Sequence, residues 1–110
     1  MAYDEDLANR IRELIARDPD VTEKRMFGGL AFLAGGNMAV AASGKGGLMV
    51  RVDPADADTL LEDPGVTRMV MGGKEMTNWL RVTEASVEDD AELTHWVQRG
   101  VTYAKTLPPK

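Results

Sequence analysis

Eight of the 11 glycines in this chain stand in four adjacent pairs, Gly28-Gly29, Gly35-Gly36, Gly46-Gly47 and Gly72-Gly73. Glycine takes positive φ without steric cost, so paired glycines mark places where an extended chain reverses. The runs beside them are short and largely apolar: 25–33, 37–42, 48–52, 67–71 and 76–82. In the third, Leu48, Val50 and Val52 point one way and Met49 and Arg51 the other, the period of a strand. The breaks at 35–36 and 43–47 are too short for a parallel crossover, so they predict antiparallel hairpins. Gly28-Gly29 differs, because it falls inside the run 25–33, where glycine gives up packing. A bulge is expected there, or a backbone closely approached by another element of the domain, a ligand or a partner.

Three segments carry helical periodicity instead. Leu7, Ile11, Leu14 and Ile15 share a face behind Asp4, a suitable N-cap, and Asp18-Pro19-Asp20 stops that helix. Asp53-Pro54 opens a second, with Asp56 in its first turn and a narrow apolar face of Ala57, Leu60 and Leu61. Leu93, Trp96, Val97, Val101 and Ala104 define the last, entered past Asp89 and Asp90. Gly100 interrupts it at a cost of about 1 kcal/mol, which close contact with another backbone would explain. The expected architecture is α+β, a five-stranded mainly antiparallel sheet with three helices in the order α-β-β-β-α-β-β-α, the helices mainly on one face. One domain spans 1–107, with 108–110 a short tail.

Composition narrows what such a domain does. A length of 110 residues suits one core and not two. Without cysteine, thiol catalysis and cysteine-ligated metals are excluded, and one histidine, His95, leaves no zinc-ligand spacing. Neither cofactor nor metal is implied. His95 has no nucleophile beside it and reads as a surface or boundary residue of the last helix. The acidic sets Asp18, Asp20, Glu23 and Asp53, Asp56, Asp58 match no calcium loop, and the second is better read as helix capping. Ser43-Gly44-Lys45-Gly46-Gly47 lacks the order of a phosphate-binding loop and reads as a hairpin turn. A net charge of −5 opposes the phosphate neutralisation on which nucleic-acid binding depends, so no direct nucleic-acid partner is expected. An acidic start unlike a signal peptide and the lack of a long apolar run point to a cytoplasmic protein with no membrane contact. Met26, Met38, Met49, Met69, Met71 and Met76 lie in or beside the strands, either as core filling or as a pliable protein-binding face.

The stretch Glu23-Lys24-Arg25-Met26-Phe27-Gly28-Gly29-Leu30-Ala31-Phe32, followed by a Gly-rich hairpin and Leu48-Met49-Val50-Arg51-Val52-Asp53, resembles the N-terminal domain of the TfoX/Sxy family. Asn78-Trp79-Leu80-Arg81-Val82 and the acidic approach to the Trp96 helix extend the likeness over about residues 5–105. The resemblance implies an α+β fold with an antiparallel sheet. It also implies a non-enzymatic regulatory role, since named members act as co-activators of DNA-uptake genes. Their second, C-terminal domain has no counterpart in this sequence. Arg25, Met26, Phe27, Gly28, Gly29 and Trp79 become the candidate binding residues. The expected partner is another protein, by analogy one of the transcription machinery, with the chain itself a monomer or weak homodimer. The alternative is a small-molecule binder or enzyme with a pocket near the Arg25–Gly29 strand.

Overall fold

The computed structural model describes residues 3–26, 28–44 and 46–109, with only the backbone described at Met71. In chain order the elements are α1 (Glu5–Ile15), β1 (Val21–Met26), β2 (Gly29–Ala34), β3 (Asn37–Ala42), β4 (Leu48–Arg51) and α2 (Pro54–Leu60). There follow β5 (Val66–Met71), β6 (Lys74–Val82), α3 (Glu84–Val87) and α4 (Asp90–Lys105). The sheet is therefore six-stranded, in the order β1-β2-β3-β4-β6-β5, with every neighbouring pair antiparallel.

Six strands and four helices correct the expected five and three, and both differences have local causes. The run 25–33 is not one strand. Gly28 sits at φ 73° and the chain turns back there, so that Met26 pairs with Gly29. The strand before that turn was missed because it is polar: Val21-Thr22-Glu23-Lys24-Arg25-Met26 forms the sheet edge, and its middle four residues are exposed. Charged residues on an edge are how sheets resist further pairing, and they erase the alternation that announces a strand. The extra helix, α3, is one turn capped by Thr83 and buries only Val87, too short to show a period.

The helix starts follow the sequence. Asp4 accepts from the backbone N–H groups of Asp6 and Leu7, Asp53 from Ala55 and Asp89 from Ala91. In α1 the buried residues are Leu7, Ala8 and Ile11, whereas Leu14 is 41% exposed on the rim of the stripe. In α4 the whole expected face is buried, and Gly100 with it. A Cβ at Gly100 would come within 2.7 Å of the Ala39 carbonyl oxygen, so this glycine lets α4 lie directly on β3.

The sheet has two unlike faces. On one, Leu30, Phe32, Val40, Leu48, Val50, Leu80 and Val82 pack with residues of all four helices into the main core. On the other, Ala31, Ala41, Met49, Met69 and Trp79 form a second cluster, against which Met26, Leu33, Met38 and Met76 pack. No helical residue belongs to that second cluster, among the described residues. Register shifts at Phe32/Leu33 in the β2–β3 pair and at Arg68/Val70 in the β5–β6 pair interrupt the ladders. Such irregularities bend and twist strands, which brings side chains of one face together without a covering layer.

Candidate functional site

The helix-free face is assembled by strand pairing. In an antiparallel ladder, directly opposed residues project to the same side. Met49 stands opposite both Ala41 and Arg81, and Arg51 stands opposite Trp79. On β4 and β6, then, two arginines occupy one diagonal of a square and Met49 and Trp79 the other. Ala31 opposite Ala41 and Lys24 opposite Ala31 continue the row toward the β1 edge. The two alanines are fully or almost fully buried beneath longer neighbours.

The arginines diverge from the middle of this row. The Arg51 guanidinium lies 5.7 Å from the centroid of the Trp79 ring, within cation–π range. Its Nη1 donates a long hydrogen bond, 3.4 Å, to the Met38 carbonyl oxygen. Its Nε is buried and has no hydrogen-bond partner among the described residues. Arg81 leans the other way, with Nη2 donating to Ser43 Oγ and to the Gly46 carbonyl oxygen, each at 3.3 Å. It borders an open depression of 470 Å³ that Thr67, Thr83 and Glu84 also line. Among the described residues neither Arg51 nor Arg81 forms an ion pair. The five ion pairs in the described residues all have at least one member on a helix. Two of these tie the N-terminal region in place. Arg12 grips Glu23 with two hydrogen bonds of 2.8 Å, which holds the Glu23 carboxyl below its usual range. Lys105 does the same to Asp18 at 2.6 Å.

The residues singled out from sequence separate in the structure. Met26 and Trp79 meet on the helix-free face. Arg25 is exposed on β1 opposite Leu30, a residue of the main core, and so belongs to the other side of the sheet. Phe27 lies outside the described residues. Gly28 makes the turn, and Gly29 begins β2, where a Cβ would run into the Ala42 carbonyl oxygen. Sequence reasoning left out Arg51, Arg81, Met38, Met49 and Met69 as a group. The signal was present in the alternations Leu48-Met49-Val50-Arg51 and Trp79-Leu80-Arg81-Val82, whose odd members share a face once β4 and β6 pair.

A second polar depression, of 390 Å³, lies beside α4 and includes Asp53, Asp56, His95, Arg99 and Tyr103. Arg99 pairs with Asp56 through Nη1 at 3.9 Å while its Nε is buried without a partner among the described residues, and the His95 ring meets Trp96 edge-on. Among the described residues no group of three metal-ligating side chains is placed to hold an ion, and no helix is long and apolar enough to cross a membrane.

Fold and face together define a two-sided α+β domain, one side of its sheet covered by helices and the other by its own side chains. The chain matches the TfoX N-terminal domain over residues 13–104, which takes in every strand and the last three helices, and it belongs to that family. No curated protein and no solved structure matches it.

Proposed function

We propose that this chain is a regulatory binding module, not an enzyme, and that it docks a partner protein on the helix-free face of its sheet. The observation that supports this reading most is the composition of that face. Five of the seven methionines gather there around Trp79, flanked by arginines that form no ion pair among the described residues. Methionine is flexible and polarisable and suits surfaces that adapt to another chain, while tryptophan and arginine are the usual anchors of protein interfaces. Family membership is consistent with regulation through contacts and supplies no catalytic set.

Site-specific photocrosslinking in the native cell tests the reading. A photoreactive residue at Met38, on this face, should give one discrete adduct. The same group at Thr102, exposed on α4, should give none. Adducts from Thr102 with none from Met38 would move the interface to the helical side and overturn the proposal.

A further inference from the structure

The unmatched arginines say what kind of segment the face receives. Arg51 is partly buried, and among the described residues its Nε has no acceptor and its one hydrogen bond is long. A guanidinium carries five donors in a fixed fork, and leaving them unmet away from water is unfavourable. Arg81 is also partly buried and, among the described residues, bonds to a hydroxyl and a carbonyl, both neutral. Lys24 adds a third cation at the β1 end of the row without an ion pair among the described residues. In a chain of net charge −5, none of these three cations forms an ion pair among the described residues, although Glu84 lines the depression beside Arg81.

Spacing decides between a small acid and a peptide. Arg51 reaches to Met38 at the start of β3 and Arg81 to Ser43 just past its end. Five residues of strand separate those anchor points, about 17 Å at ~3.4 Å per residue. Between them run Ala41, Met49 and Trp79. One small carboxylate cannot meet both cations, whereas an extended chain can.

Resting on the docking reading above, we infer that the partner presents an extended acidic–apolar segment, with carboxylates at both ends of a short apolar stretch. Arg51 receives one carboxylate and Arg81 the other, and the apolar side chains lie over Met49 and Trp79.

The test uses the whole chain and the heptapeptide acetyl-Glu-Ser-Leu-Ser-Leu-Ser-Glu-amide, whose Glu and Leu side chains share one face when extended. Binding is followed by NMR at the Arg51 Nε–H and the Trp79 indole N–H. Saturable shifts at both are expected, with affinity at least about tenfold weaker when both Glu are replaced by Gln, or in Arg51→Gln. Equal response to the Glu and Gln peptides, or no response to either, overturns the inference. Hexanoate binding as tightly as the peptide also overturns it, in favour of a small-molecule acid. Failure here is separable from failure of docking itself: a Met38 crosslink that persists unchanged in Arg51→Gln leaves the interface standing and removes the carboxylate requirement.

Discussion

The two faces of one sheet follow different rules. The helix side is filled by Leu, Ile, Val, Ala, Phe and Trp, with no methionine among its described residues, and all five ion pairs of the described residues involve its helices, although Arg25 on that side has none. The opposite side carries methionines in number, one tryptophan, and arginines that form no ion pair among the described residues. Branched side chains have few rotamers and specify one packing, whereas methionine has three rotatable bonds and accepts many. Buried nitrogens without a hydrogen-bond partner among the described residues occur on both sides, Arg51 Nε on one and Trp96 Nε1 and Arg99 Nε on the other, so the contrast rests on the methionines and the unpaired arginines. The contrast supports the proposal that one side serves structure and the other recognition.

The largest effects should come from the helix side. Phe32→Ala should destabilise by about 3–5 kcal/mol in denaturant melts, since the ring is completely buried. Met38→Ala, partly exposed on the other face, should cost no more than about 1 kcal/mol. Similar losses from the two would erase the distinction between the faces.

Next come the hairpin glycines that join them. Gly29→Val should destabilise by about 1–3 kcal/mol, because its side chain meets the Ala42 carbonyl and backbone cannot yield as a flexible side chain would. Gly28→Val has open space around it, but at φ 73° a β-branched residue is strained, by about 1–2 kcal/mol. Unchanged midpoints in both variants would refute a scaffold role for this segment and return it to the binding surface.

A smaller, pH-dependent effect belongs to the paired charges. Arg12 lowers the Glu23 carboxyl from 4.5, and Lys105 lowers Asp18 from 3.8. Folded values below unfolded ones mean that each contributes stability above its unfolded value, and the contribution fades as pH falls through the folded one. Both pairs are solvent-accessible, so the contributions are small and weaken in salt. The melting difference between wild type and Glu23→Gln should be constant well above the unfolded Glu value of 4.5 and shrink as pH falls below it. A difference that grows on acidification would contradict the pairing.

How far the sequence foretold this depends on which signals survive at a sheet edge. The hairpins at 35–36, 43–47 and 72–73, the capped helices and the antiparallel sheet were legible, because glycine pairs, Asp caps and apolar periods are local signals. β1 was not, since Thr22, Glu23, Lys24 and Arg25 face water and look like loop. The Met-Phe-Gly-Gly signature drew attention to a turn. The arginine–tryptophan face exists only after β4 has paired with β6, across the whole of α2 and β5. No local window contains it. Alternation showed that Arg51 and Trp79 each face away from the main core, but only register shows them facing each other.

The most direct test of the division between the faces is Arg51→Met, followed by denaturant unfolding beside the peptide titration. A structural arginine loses its partners when replaced, whereas an unmatched, partly buried charge exchanged for an apolar side chain of similar length is often neutral or stabilising. The expected result is a stability within about 1 kcal/mol of wild type, the lost cation–π contact offset by removal of the orphaned Nε, together with loss of acidic-peptide binding. Destabilisation by more than about 2 kcal/mol with peptide binding retained would contradict the account, because Arg51 would then serve the fold and not a partner.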